Sequence, residues 1–156
     1  TTVKGSFTKF DVKISLDEPN PEGSSVEAQI DASSIDTREP QRDNHLRSPD
    51  FLEVEKFPQI TFKSKRIEPR GEDRYFLIGD LTIRDITREV VLDTMFAGFV
   101  NAPWGGRRAG LAAETTINRK DFGVSWNVAL EVGGFLVGDS VKINIELELI
   151  EQEGEA

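Results

Sequence analysis

The stretch that decides the fold covers residues 33–63, SSIDTREPQRDNHLRSPDFLEVEKFPQITFK. It carries a helical pattern between two stretches that alternate like β-strands. Pro40 suits the first turn of a helix, where its missing N–H costs nothing, and a Ser or Thr just before it, such as Thr37, can cap the free backbone donors. A second helical start is predicted at residues 48–51. One helical insert in a chain that is otherwise strand predicts a cover over one end of a barrel.

Period-two alternation dominates the rest of the chain. The last strand shows it most clearly, with five apolar residues that alternate with polar ones: Val141, Ile143, Ile145, Leu147 and Leu149. The apolar phase slips between Phe7 and Phe10, which predicts a bulge or bend. About seven or eight short strands joined by tight turns predict an all-β, antiparallel up-and-down barrel, because closure removes exposed edges. Residues 127–138, apolar and rich in glycine, are predicted to hold a short helix.

Length and composition indicate one folded domain over residues 1–150, followed by an acidic tail over 151–156. The 28 acidic and 19 basic residues give a formal charge of -9, which opposes binding to nucleic acid or to anionic lipid surfaces. No apolar run is long enough for a transmembrane segment. The chain has no Cys, so disulfides and thiolate chemistry are excluded. The compartment is not fixed; the cytoplasm is favoured, and the periplasm stays open if a signal peptide was removed.

Few residues carry the chemistry of catalysis. His45 is the single His, and we expect it to pack or hydrogen-bond so that it holds the insert on the barrel, although a general base is the alternative. Four carboxylates cluster nearby, and capping and solvation explain them better than acid–base work: Asp43, Asp50, Glu53 and Glu55. Arg119 and Asp121 are expected to pin a turn. We therefore predict no enzymatic activity, no catalytic residue, no metal site and no cofactor.

The apolar residues that would point into the barrel are the main functional candidates. The predicted ligand-binding residues are Phe7, Ile30, Phe62, Leu81, Ile83, Leu92, Phe96, Leu111, Ile117, Trp126 and Phe135. Several small residues at inward positions would leave space beside them: Gly5, Ala28, Gly79, Gly98, Ala109 and Ala113. A large empty apolar cavity costs stability, so such space indicates a ligand. A solid core explains the same apolar pattern equally well on this reasoning alone.

Four segments together resemble the YceI-like family of polyisoprenoid-binding, lipocalin-like proteins. They are the opening stretch, GDLTIRDITREVVLD (79–93), PWGGRRAGLAAETTINRKDFGVSWN (103–127) and LVGDSVKINIELELI (136–150). Their order and spacing agree with the family from about Gly5 onward. The family usually opens with a segment that bears a His-Ser pair and a second His. That segment would end at about Thr1, so we expect this chain to lack its first strand.

The resemblance implies binding of a long isoprenoid lipid, a polyprenyl chain or an isoprenoid quinone, inside an apolar barrel tunnel. The barrel would carry or sequester the lipid. Around the mouth we expect Arg42, His45, Trp104, Arg119 and Trp126. The alternative is an enzyme acting on an isoprenoid or quinone head group, for which His45 and an acid would have to meet at the mouth. A plain interaction module and a homodimer also remain open.

Overall fold

The computed structural model describes residues 2–131, 133–134 and 136–151. Within these residues, ten strands and one α-helix follow each other. They are β1 (Ser6–Phe7), β2 (Phe10–Ser15), β3 (Ser25–Asp31), β4 (Ile35–Asp36), α1 (Pro40–Arg47), β5 (Gln59–Pro69), β6 (Arg74–Ile83), β7 (Ile86–Phe96), β8 (Val100–Asn101), β9 (Arg107–Asn118) and β10 (Ser140–Ile150). Three short 3-10 turns join them, at Pro21–Gly23, Ala32–Ser34 and Arg119–Phe122.

The long strands form one antiparallel sheet in the order β10-β9-β7-β6-β5-β3-β2, with β8 paired to β9. This order follows the chain, so the prediction of an antiparallel up-and-down sheet with a short helical insert is confirmed. The sheet curls into a half-barrel. Its edges are β2 and β10, and within the described residues each pairs with one neighbouring long strand.

The phase slip between Phe7 and Phe10 has a different cause from the predicted bulge. β1 pairs with β4 in a separate two-stranded ribbon, with Phe7 opposite Ile35, whereas Phe10 opens β2 of the main sheet opposite Ile30. The chain therefore changes sheets between the two phenylalanines, and the apolar phase changes with it. A register shift does occur in β5, between Ser64 and Arg66.

The helical insert forms as predicted, but its caps differ. Glu39, not Thr37, precedes α1 and accepts from the backbone N–H of Gln41 at 3.4 Å, with Pro40 in the first turn. Thr37 instead donates its backbone N–H and its hydroxyl to the carboxylate of Asp43. These hydrogen bonds tie the segment that leads into α1 to the first turn of the helix. They also lower the pKa of Asp43.

Two further helical predictions are wrong. After Ser48, whose hydroxyl donates to the carbonyl of His45 at 2.6 Å, the chain makes turns instead of a second helix. Asp50 does not cap a helix there. The described residues of 127–138 also form turns and bends, with positive φ angles at Gly133 and Gly134 that favour glycine.

The core lies on the inner face of the curled sheet. Its buried members are Ala32, Ile60, Phe62, Leu77, Leu81, Val90, Leu92, Ala113 and Phe122. They come from the central strands β5, β6, β7 and β9 together with two residues of the connections. Burial of these side chains supplies the main driving force for the curl, at roughly 1.5–3 kcal/mol for each large apolar side chain.

The half-barrel has two different ends. The helical end carries the connections 32–58, 84–85 and 119–139, which include α1. The distal end carries the connections 16–24, 70–73 and 97–106, together with the end of β10. The connections at these two ends determine where the inner face is accessible to water.

Candidate ligand-binding face

The strand registers bring most of the predicted ligand-binding residues to one face. Phe62 pairs with Leu81 across β5 and β6, and Leu111 pairs with Phe96 across β9 and β7. The strand pairings place eight of the predicted residues on the same face of the sheet: Ile30, Phe62, Leu81, Ile83, Leu92, Phe96, Leu111 and Ile117. Phe7 lies outside the main sheet but packs against the core. Phe135 lies outside the described residues.

The centre of this face is filled by protein. Phe62, Leu81 and Leu92 are buried in the core cluster. A Cβ on Gly79 would lie 2.6 Å from the ring of Phe62 and 2.5 Å from the carbonyl oxygen of Lys63, so the phenyl ring already occupies the space above the glycine. The expected vacancy at Gly79 is therefore absent.

Two other glycines lie outside the strands of the main sheet, Gly5 in close contact with Thr37 and Gly98 beside open space, where no atom lies within 4 Å of an added Cβ. Gly5 precedes β1, and a Cβ there would lie 2.7 Å from Thr37. Gly98 lies in the connection after β7, with φ of 91°. The alanines Ala28, Ala109 and Ala113 do face inward. Ala109 and Ala113 are buried, with Ala113 inside the core cluster, so among these alanines only Ala28 is partly exposed.

The two edge strands are open, and sequence reasoning did not name any of their residues as ligand contacts. Phe10 on β2 and Val141 on β10 are 55% and 39% exposed. Six more apolar residues in phase with them are only partly buried: Val12, Ile14, Ile143, Ile145, Leu147 and Leu149. The alternating pattern of β10 was visible in the sequence, whereas its position at an edge was not. The open part of the inner face is therefore this pair of apolar rows, which we call the edge rows.

The helical end is closed by aromatic packing. His45 lies edge-on to Phe51 and Trp126, with ring centroids 5.0 and 4.5 Å away, and its Nε2 is 2.9 Å from a carboxylate oxygen of Asp50. At the same end, the Nε–H of Arg42 donates a hydrogen bond to the hydroxyl oxygen of Thr37. Trp104 is not part of this group, because it lies in a turn at the distal end, where the guanidinium of Arg108 stacks over its ring.

Buried Arg119 organises the irregular segment that follows β9. It donates to the carbonyl oxygens of Val124 and Trp126 at 2.7 and 3.0 Å, and to that of Gly138 at 2.8 Å. Its guanidinium also lies 3.6 Å from the carboxylate of Asp139, whereas among the described residues it forms no ion pair with Asp121, the expected partner. A buried cation must be satisfied by such partners, so Arg119 has a structural role.

Phe122 completes the closure of the helical end. It is 2% exposed and belongs to the core cluster, although it sits in a polar sequence, KDFG. Gly123 follows in the left-handed region, and the 3-10 turn before it carries the ring inward. The sequence offers one indication of this buried position, a single phenylalanine in an otherwise polar turn.

The distal end is less tightly closed. A cavity of about 240 Å³ lies there, with Phe96 and Phe99 among its apolar walls. Arg107 borders it and donates to Glu18 at 2.7 Å and to Glu151 at 2.5 Å. These bonds, the one to Glu18 above all, raise the pKa of Arg107. Because Glu18 follows β2 and Glu151 follows β10, this ion-pair cluster joins the two edges of the sheet.

A larger cavity of about 450 Å³ lies between α1 and the β1–β4 ribbon. Its walls are largely polar, and Arg47 crosses it to reach the carbonyl of Ser33 at 2.8 Å. The hydroxyl of Ser33 donates to Asp31 and lowers the pKa of that carboxyl. Such walls do not suit an apolar ligand.

No helix in the described part of the chain has the length and apolar composition to cross a membrane.

Comparisons with known proteins agree with this geometry. The sequence profile of the YceI-like domain matches residues 1–149. A UPF0312 protein of Pectobacterium carotovorum is 40% identical over 149 residues, which are 96% of this chain and 74% of the relative. A UPF0312 protein of Yersinia pestis is 43% identical over 121 residues, and the match spans 62% of its length and 78% of this chain.

Solved structures show the same fold. A Campylobacter jejuni YceI protein superposes with a TM-score of 0.84 at 29% identity, covering 98% of this chain and 87% of the other. BcnA of Burkholderia cenocepacia superposes with a TM-score of 0.78 at 23% identity, over 93% of this chain and 86% of its own. The chain therefore belongs to the YceI-like family, whose fold is a polyisoprenoid-binding one.

Proposed function

We propose that this protein binds a long isoprenoid lipid, a polyprenyl chain or the tail of an isoprenoid quinone, along the inner face of the half-barrel, and thereby carries or sequesters it. The observation that carries the proposal is the pair of apolar edge rows on β2 and β10, which stay partly exposed. Apolar rows that remain partly exposed on a folded domain are typical of a binding surface.

The dimensions suit an extended chain. β10 contains 11 residues, which span about 36 Å at the usual rise of a strand. Each methylene that a ligand buries against such a surface contributes about 0.8 kcal/mol, so a long tail binds tightly with few polar contacts. Because the centre is packed, the lipid tail would lie along the edge rows, where Ile143, Ile145 and Leu147 are partly exposed.

Membership of the family supports the same proposal, and the family is not known for enzymatic activity. The alternative of an enzyme at the barrel mouth finds little support in the geometry. His45 and Asp50 do meet, but at the closed helical end, where the imidazole packs between two aromatic rings. The apolar edge rows and the His45–Asp50 pair are thus separate features of the molecule.

The test is the lipid content of the purified protein and of two variants on neighbouring positions of β10. Ile145 is half-buried on the inner face, whereas Asn144 is exposed on the outer face. Ile145→Asp places a carboxylate in the apolar row and should abolish retention of lipid, because an unpaired charge in an apolar site costs several kcal/mol. Asn144→Asp adds the same charge outside and should retain it.

Mass spectrometry of organic extracts provides the measurement, and circular dichroism shows that both variants are folded. A parent extract without isoprenoid, together with no uptake of an added fluorescent isoprenoid, would remove the carrier function. Equal retention by both variants would place the lipid elsewhere on the molecule.

A further inference from the structure

The distal cavity combines apolar walls with a few polar groups, which is the usual composition of a ligand site. Leu16, Phe96 and Phe99 supply apolar surface, and Tyr75 and Arg107 supply donors. The cavity adjoins the ends of β2 and β10, where the edge rows finish. Because the helical end is closed by Phe122 and by the packing around His45, an elongated ligand on the edge rows would present its polar end here.

Two donors at this cavity are not used by the protein. Both Nη atoms of Arg107 are engaged, by Glu18 and Glu151. Its Nε–H and the hydroxyl of Tyr75 have no hydrogen-bond partner in the part of the chain that the structure describes. An oxygen atom of a ligand could accept from either of them.

The charge around the cavity is negative. Glu18 and Asp73 line it, and Glu151 lies against Arg107 at its border. Two carboxylates, of Glu18 and Glu151, already pair with the guanidinium of Arg107, and the carboxylate of Asp73 adds a further negative charge to the lining of the cavity. A phosphate would have to displace a carboxylate from Arg107 and would meet the repulsion of the others.

We propose that the distal cavity binds the polar end of the lipid and selects an uncharged, oxygen-bearing head group, a hydroxyl or a carbonyl, over a phosphate. Arg107 and Tyr75 would donate to that oxygen, and Glu18, Asp73 and Glu151 would repel the anion. The inference rests on the proposed function, since it assigns one end of the same ligand.

The experiment compares three probes with apolar chains: geranylgeraniol, geranylgeranyl phosphate and squalene, which has no head group. Equilibrium binding is measured by competition with a fluorescent isoprenoid, below the concentration at which each probe aggregates. We expect the alcohol to bind about tenfold more tightly than the phosphate, the effect of roughly one unscreened like-charge contact.

Variants assign the discrimination to named groups. Glu18→Gln combined with Glu151→Gln should raise the affinity for the phosphate about tenfold and leave that for squalene unchanged. Glu148→Gln is the matched control, because it removes a carboxylate from the outer face of the same β10 strand, where Glu148 pairs with Arg108. Tyr75→Phe should weaken the binding of the alcohol several-fold and leave the affinity for squalene unchanged.

The outcomes separate the two proposals. If none of the three probes binds, the proposed function fails. If squalene and the alcohol bind but the phosphate binds equally well or better, the carrier function stands and the head-group assignment is overturned. An effect of Glu148→Gln as large as that of the double variant would also overturn it, because the repulsion would then come from overall charge and not from the cavity.

Discussion

Replacing Ala113 by Phe tests which part of the inner face is packed. Ala113 is 6% exposed and lies in the core cluster, with Thr94 opposite it on β7 and Ile145 opposite it on β10. A phenyl group added there has no space to enter, so it forces its neighbours out of their preferred rotamers. Overpacking of this kind costs about 1–3 kcal/mol.

The matched control is Ala112→Phe. Ala112 is the preceding residue of β9, it is exposed on the outer face, and it pairs with Glu146. The same change of volume there should alter the free energy of unfolding by less than about 0.5 kcal/mol.

Calorimetry of both lipid-stripped variants measures the difference. For a domain of this size, each kcal/mol shifts the melting temperature by about 2–4 °C, so Ala113→Phe should melt about 2–12 °C below the parent and Ala112→Phe close to it. Unchanged or increased stability of Ala113→Phe would show that the centre is an empty tunnel and would refute the description of a packed core.

Two further predictions concern the helical end. Phe122→Ala should cost about 3–5 kcal/mol in chemical denaturation, because it removes the largest fully buried side chain, whereas Val128→Ala on the exposed surface should cost less than about 0.5 kcal/mol. A loss below about 1 kcal/mol for Phe122→Ala would show that the ring of Phe122 is not needed to close the helical end. The pKa of Asp43 is lowered from its ordinary value of 3.8 by its bonds from Thr37, so the stability that its carboxylate contributes is complete only well above that ordinary value and is lost as the pH falls through the lowered pKa. Asp43→Asn should therefore flatten the acid limb of the stability–pH curve, and an unchanged acid limb would contradict this assignment.

Local patterns were enough to predict the strands and the helix. The alternation in β10 and the proline at position 40 act within a few residues, so the sequence shows them directly. Short strands joined by tight turns predicted the antiparallel up-and-down sheet, and the YceI-like resemblance predicted the polyisoprenoid-binding fold. Two local helix predictions, at residues 48–51 and 127–138, were wrong. The other deviations concern residues whose environment depends on distant parts of the chain.

Gly79 illustrates the limit most clearly. Its period-two position predicts an inward-facing gap, but the register of β5 against β6 places the ring of Phe62 over it. Arg119 is a second case, because its carbonyl partners belong to an irregular segment up to 19 residues away. Neither arrangement follows from spacing, since both depend on how the chain packs against itself.

The distribution of packing along the inner face bears on the path of a ligand. The centre is occupied by Phe62 and its neighbours, and the helical end is closed by Phe122, so on the inner face the accessible apolar surface lies along the edge rows and in the distal cavity. A chain bound there would contact β2 and β10 together, and the Glu18–Arg107–Glu151 cluster already joins these strands at one end. Ligand binding and stability should then be linked, because a ligand that binds only the folded half-barrel stabilises it by about 2.7 kcal/mol at a hundredfold excess over Kd. The gain should be lost in Ile145→Asp, which places a carboxylate in an edge row, and should persist in Ala112→Phe, which changes only the outer face of the sheet.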